Sequence, residues 1–444
     1  AAASDYSSGD FYGGSLQQRL GCKVFVAYSK KQPYEFMTSR CVDLNDHTST
    51  KSDEELFLHA ATTLANGGAY FFIDAINPDG TLEDKFYRRL HGLADRLRPY
   101  REFAEAFRPE LKAEVAVYFS MASAVNETHN GSHLAAPPEN NANNMGVRHY
   151  PMLDEIIGTV AVLNSLHIPY TVITDATKDL SGYRAIVINN AMAMSETEVK
   201  RIREFVHAGG TLLATGKTSL QKLDGKCNGN FQLADVLNIK YTGADGGKVS
   251  YICFDDELIS AKGWPVPLVS ANDPAEIRAR LSFPDFPVND AEQYASIHSN
   301  PPGPLTAYSG LTDHRFGKGR ALYLATGLLA LQQHSQQEFG RRLFAEILPA
   351  MVTGEQNLGR ETEVTLLKTN HPKVWVLGLV NYQSSLPNIP LRDVRFTVRL
   401  PFGIKVAKIT RVSDGKNQAF TADNGGITIA INELNDIELL KLEE

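Results

Sequence analysis

Two carboxylates stand where acid–base chemistry can be placed. Asp74 follows the apolar run Tyr70–Ile73 and precedes the turn Ile76-Asn77-Pro78-Asp79-Gly80, while Glu35 sits between apolar neighbours in Pro33–Ser39. A carboxylate among apolar side chains is costly to bury unless it is paired, so each needs a reason. One reason is structural: bonds from backbone amides, or a nearby arginine such as Arg40. The other is catalysis. Glycosidic cleavage uses two carboxyl groups, about 5–5.5 Å apart for retention or about 6.5–9.5 Å for inversion. Around this pair, His47, Lys51 and His59 bracket the start of a helix pattern and can line a polar pocket. Phe11, Tyr12, Tyr34 and Phe36 can stack on the C–H face of a sugar ring. Solvation of the loop histidine and core packing of the rings are the plainer readings.

Other chemistries find little support. Cys22, Cys41, Cys227 and Cys253 have neither CxxC nor CxxH spacing, which leaves zinc clusters and redox pairs without a motif. Free, mostly buried thiols are expected. A cysteine on a tight strand-to-helix elbow between glycines is missing from 188–195 and 214–221. Gly216-Lys217-Thr218-Ser219 imitates a phosphate loop, but the required glycine five places earlier is Thr211. Gly317-Lys318-Gly319 reads as a hairpin turn. No metal or organic cofactor is called for.

The elements that must position these residues form three blocks. In the first, 20–29 and 33–39 read as strands, and 52–68 is a helix with Ser52 as N-cap, Glu55 three places on and a glycine pair at its end. The apolar strand at 69–73 and a long helix follow. Continuous apolar strands between helices point to a parallel sheet. A second block begins at 114–120 and crosses a loop rich in Asn, Pro and His, 121–150. It then alternates helix 152–167, strands 170–174 and 184–190, a helix capped by Ser195, and strands at 211–216, 248–254, 305–311 and 320–327, ending in helix 335–352: a doubly wound α/β pattern. From about 362 short strands recur every 8–15 residues without helices, the pattern of a β-sandwich.

The chain has 444 residues, 43% hydrophobic and 21% charged, enough for two to four folded domains. Its net charge of −7, with no basic block, argues against nucleic acid as a partner. No run approaches the ~18 apolar residues of a membrane span. The start lacks a signal-peptide pattern, secretion stays open, and the sequons at Asn126 and Asn130 are taken as chance.

Several motifs in one order carry a resemblance over nearly the whole chain. LNSLHIPYTVIT, YRAIVINNAMAMSETEVKRIREFVHAGGTLLATG, FQLADVLNI and FGKGRALYLATGLL make 113–352 similar to the trimerisation domain of family-42 β-galactosidases, an amidotransferase-like fold without that chemistry. VWVLGLVNYQ, DVRFTVRLPFGIKV and DIELLKLE make 362–444 similar to the small β-sandwich that often follows it. DFYGGSLQQRLGCKVFVAYSKKQPYEFMTSR and ATTLANGGAYFFIDAINPDG make 1–112 resemble the last strands and helices of a (β/α)₈ barrel of the α-L-fucosidase kind. Glycoside hydrolase family 151 joins such parts.

The resemblance implies an α/β chain: a partial (β/α)₈ barrel, a doubly wound amidotransferase-like domain, then a small antiparallel β-sandwich. It implies cleavage of a terminal sugar, an α-L-fucoside before a β-galactoside, and a homo-oligomer, trimer or dimer. Glu35 falls on the apparent seventh strand, where the β-galactosidase pattern makes it the nucleophile and the fucosidase pattern a general acid or sugar contact. The fucosidase nucleophile, a fourth-strand Asp, has no counterpart in this sequence. The rival reading is a non-catalytic scaffold for oligomerisation and carbohydrate binding.

Overall fold

A computed structural model describes residues 5, 7–9, 13–43, 46–126, 151–227, 229–287, 290, 292–293, 301–330, 333–423 and 426–444. The chain divides into two compact units: 1–114 with 163–172 and 349–444, and 115–162 with 173–348.

The first unit opens with helix α1 (Ser15–Tyr28), strand β1 (Glu35–Ser39), a hairpin of β2 (Cys41–Asp43) and β3 (Asp46–Thr50), helix α2 (Asp53–Ala65), strand β4 (Ala69–Ile73), helix α3 (Asp84–Phe107) and strand β5 (Glu110–Lys112). The segment 20–29, expected as a strand, is helical instead. Its buried face is Gln18, Arg19, Leu20, Cys22 and Lys23, so two cations point inward and hide the helical apolar stripe. Ser52 caps α2 as expected, accepting from the amide of Glu55. β1 and β4 pair in parallel, Glu35 opposite Ala69 through Ser39 opposite Ile73. The glycine pair before β4 has a packing reason: a Cβ on Gly68 would lie 2.3 Å from the Tyr34 ring.

The strands after 349 form two antiparallel sheets. One runs Lys408–Arg411, Ile437–Glu443, Val374–Asn381, Thr362–Lys368 and β5; the other runs Val352–Gln356, Leu391–Val398, Gly426–Leu434 and Phe420–Asp423. Alternation along the five-stranded sheet serves two cores. Leu366, Leu377, Leu440 and Leu442 pack with Val394, Phe396 and Ile429 of the other sheet. Leu367, Val376, Val380 and Leu439 pack instead against Leu56, Ala60 and Leu64 of α2 and Leu93 and Leu97 of α3. The opening helices are therefore covered by strands some 300 places later in the chain, and β5 joins that sheet directly.

A buried ionic cluster fastens the same surfaces. Lys23 Nζ reaches Glu363 Oε1 at 2.5 Å and Asn66 Oδ1 at 2.7 Å, and stands 4.5 Å over the Tyr170 ring. Arg19 donates to the carbonyls of Glu361 and Tyr382 at 2.7 and 3.0 Å, its Nε lying 3.8 Å from Glu363. Each of these charges has a partner, as burial demands.

The largest sheet has nine strands: Glu257–Lys262, Val249–Phe254, Ile277–Pro284, Pro302–Phe316, Gly319–Leu324, Thr211–Thr215, Ala185–Ile188, Val115–Tyr118 and Tyr170–Ile173. Gly319–Leu324, Thr211–Thr215, Ala185–Ile188 and Val115–Tyr118 run parallel, as the apolar runs predicted. The other half is antiparallel and includes Glu257–Lys262 and Ile277–Pro284, whose mixed polarity hid them. Gly317-Lys318 is the hairpin turn expected, leading into Gly319, where a Cβ would strike the Val206 carbonyl at 2.1 Å. The helix Glu196–Ala208 begins with a complete capping box between Ser195 and Glu198. The polar loop falls mostly in 127–150, outside the described residues.

Candidate functional site

In sheets built of βα units, reactive side chains collect beyond the carboxyl ends of parallel strands, where loops vary while the sheet stays rigid. For β1 and β4 that end is Arg40 and Asp74, held together by the bond from the Arg40 amide to the Ile73 carbonyl at 2.9 Å. Arg40 Nε lies 2.6 Å from Asp74 Oδ1, both side chains 8% exposed, a close ion pair without hydrogen-bond alignment. The other guanidinium arm bonds Glu83, the N-cap position of α3, and the plane lies 5.3 Å over the Phe86 ring. Burial pulls the Arg40 pKa down, but the Glu83 hydrogen bond and the charges of Asp74 and Glu83 outweigh it and leave the guanidinium above its usual value. Asp74 Oδ1 also accepts from the Ala75 amide at 2.7 Å. Its Oδ2 is buried without a partner among the described residues, a condition that calls for an explanation in a native fold.

Behind this end a second polar layer fixes the strand. Lys51 is buried; its amide donates to the Arg40 carbonyl at 2.8 Å and its Nζ to the Ser39 carbonyl at 2.9 Å and Thr38 Oγ1 at 3.3 Å. Thr38 Oγ1 lies 2.7 Å from His59 Nδ1, and Gln18 Nε2 bonds His59 Nε2. The amide donates, so this assigns the ring proton to Nδ1. Burial, helped by the Lys51 charge, pushes the His59 pKa down to about 3. Glu55, 3.9 Å away, is raised by burial against a smaller opposing pull from Lys51.

The structure separates the two carboxylates expected to act together. Glu35 opens β1, at the amino end of the strand; five strand residues at about 3.3 Å each put its backbone roughly 16 Å from the level of Arg40 and Asp74. That gap exceeds both catalytic windows. The carboxylates brought together are Asp74 and Glu83. One guanidinium bridges them, which keeps their bonded oxygens within about 8 Å of each other. Glu83 carried no signal in the sequence beyond an acidic residue at a helix start, and Arg40 entered only as a structural partner.

Tyr34, expected against a sugar, is fully buried instead. Its ring packs with Cys22, Phe36 and Phe25, and its hydroxyl donates to the Thr63 carbonyl at 3.4 Å. Phe36 faces the same core because alternation along β1 turns it toward Cys22 and Phe25 of α1. His47 lies in β3, with its side chain outside what is described, and Phe11 and Tyr12 fall outside the described residues altogether. Lys51 and His59 belong to the packed layer behind the strand. Among the described residues no group of His, Cys, Asp or Glu has the arrangement of a metal site, and no helix is long and apolar enough to cross a membrane.

The second unit offers weaker ground. A shallow depression of about 220 Å³ is lined by Tyr118, Thr174, Glu198 and Arg201. Its polar groups are spent internally, Tyr118 on Glu198 and Arg201 on the carbonyls of Asp175 and Thr177. Lys217 of the mock phosphate loop pairs with Asp245 at 2.5 Å, and Thr218 donates to the carbonyls of Thr215 and Ile188.

Residues 160–251 match the model of the β-galactosidase trimerisation domain. No curated protein matches the sequence. The fold is similar to α-L-fucosidase isoenzyme 2 from Paenibacillus thiaminolyticus, with TM-score 0.73 and 17% identity over 98% of this chain and 63% of that one. It is also similar to the β-galactosidase from Bacillus circulans sp. alkalophilus, with TM-score 0.67 and 15% identity over 99% and 60%. A third is the β-galactosidase of the Antarctic haloarchaeon Halorubrum lacusprofundi, with TM-score 0.57 and 13% identity over 98% and 56%. The chain thus spans less than two thirds of the length of each of these structures. Its segment 160–251 thus matches the β-galactosidase trimerisation domain, in a fold similar to that of solved α-L-fucosidase and β-galactosidase structures.

Proposed function

We propose that the chain is the carboxyl-terminal part of a glycoside hydrolase that removes a terminal sugar, an α-L-fucoside in preference to a β-galactoside. In this reading α1, β1, α2, β4 and α3 are the closing elements of a (β/α)₈ barrel, 113–352 is an amidotransferase-like assembly domain giving a homo-oligomer, and 362–444 is a β-sandwich. The observation that carries it is the Asp74–Arg40–Glu83 cluster beyond the carboxyl ends of two parallel strands, with one Asp74 oxygen left without a partner among the described residues. Two carboxylates within about 8 Å suit acid–base assistance at a glycosidic oxygen. The open Oδ2 would take a sugar hydroxyl. Glu35, at the opposite end of its strand, has no part in this.

A second reading, a scaffold without catalysis, draws support from the same cluster, because Arg40 holds both carboxylates as a structural ion pair would. A panel of nitrophenyl glycosides separates the two. The hydrolase reading expects release from the α-L-fucoside that is lost in Asp74→Asn and kept in Glu35→Gln, with melting curves intact. Silence across fucosides and galactosides supports the scaffold. Light scattering that finds only monomer at micromolar concentration would contradict the assembly role of 113–352.

A further inference from the structure

Phe402 lies between Leu391–Val398 and Lys408–Arg411 and is 48% exposed, one of eleven large apolar residues in solvent among the described residues. Its backbone is left-handed, φ +60, a conformation that bulky side chains rarely accept. Gly403 beside it has φ +73 and carries no such penalty. The ring runs parallel to Trp375 in an offset stack, centroids 5.9 Å apart and planes 9° from parallel, while Trp375 itself is only 7% exposed. Lys368 Nζ stands 5.8 Å from the centroid of the same indole. A phenyl group serving the core would turn inward; this one stays half in solvent, backed by a parallel, buried indole. Strained residues that persist in a fold are a recognised mark of binding sites.

From this we infer that Phe402, seated on Trp375, is a stacking platform for a pyranose ring of an oligosaccharide, separate from the Asp74 cluster. The axial C–H bonds of a pyranose carry positive charge that suits the negative face of an aromatic ring, and a flat exposed phenyl fits that patch. The inference rests on the carbohydrate-directed reading proposed above and adds a second contact with the same class of ligand.

The chain has two tryptophans, so Trp264→Phe leaves Trp375 as the sole indole reporter. Titration of that full-length variant with fucosyllactose and with a β-galacto-oligosaccharide is expected to change the Trp375 emission saturably. Phe402→Ala should weaken this binding about tenfold, and Phe402→Tyr should preserve it. No saturable change with either glycan, or an equal change in Phe402→Ala, overturns the platform. Hydrolysis that depends on Asp74 with a silent Trp375 defeats the platform alone. A Trp375 response that Phe402→Ala abolishes, in a chain that hydrolyses nothing, defeats the catalytic reading alone. Should Phe402→Ala fail to fold, saturation transfer from the glycan to the Phe402 ring protons decides the same question.

Discussion

Protonation of His59 should cost this fold dearly, and the cost can be worked out. The ring is 1% exposed, its Nε2 accepts from Gln18, its Nδ1 proton faces Thr38, and the Lys51 ammonium lies behind Thr38. A second ring proton would point at an amide donor and add a cation beside another in a site closed to water. The folded pKa is accordingly depressed, from 6.5 to about 3. A depressed histidine leaves stability intact above the unfolded value, near 6.5, and drains it as pH falls toward the folded one. At pH 5 the 1.5 units below the unfolded pKa correspond to about 2 kcal/mol, and at pH 4.5 to about 2.7 kcal/mol. Other groups also respond to acid, so the useful quantity is a difference. Urea unfolding of wild type and of His59→Gln at pH 7.5 and pH 5 should show the wild type losing about 2 kcal/mol more than the variant. Equal losses, or an imidazole that titrates near 6 by NMR, would refute the burial and tautomer assigned to this ring.

Other outcomes follow from packing and charge. Glu363→Ala leaves Arg19 and Lys23 buried without their anion and should cost about 3–5 kcal/mol, read as a lowered urea midpoint. Ser195→Ala removes half of a capping box and should cost about 1 kcal/mol in a thermal melt. Gly319→Ala drives a methyl into the carbonyls of Val206 and Gly210 and should destabilise by about 1–3 kcal/mol, whereas Gly182→Ala, with open space around it, should be nearly neutral.

Much of the architecture is legible in the sequence where local signals agree with burial. The Ser52 and Ser195 caps, the apolar parallel strands and the turn-rich strand series after 362 all carry period and punctuation in the residues themselves. The helix at 15–28 did not, because Arg19 and Lys23 interrupt its apolar face, and their partners, Glu363 and the carbonyls of 361 and 382, are more than three hundred positions away. The site was half legible for the same reason. Asp74 was marked by its place after an apolar strand. Glu35 had equal apolar company, but only the pairing of β1 with β4 reveals that it sits at the wrong end. Glu83 became a candidate solely through an arginine from another loop. Tyr34 looked like a platform in a list of aromatics and proved to be the ring over which Gly68 must lack a side chain.

The most direct examination of the central claim is release of nitrophenol from nitrophenyl α-L-fucoside by the chain and by Asp74→Asn at matched folded fraction. The account predicts a measurable rate that falls by about 10²–10⁴ when the carboxylate is lost. A rate unchanged by that substitution, or none at all in either protein, would contradict it.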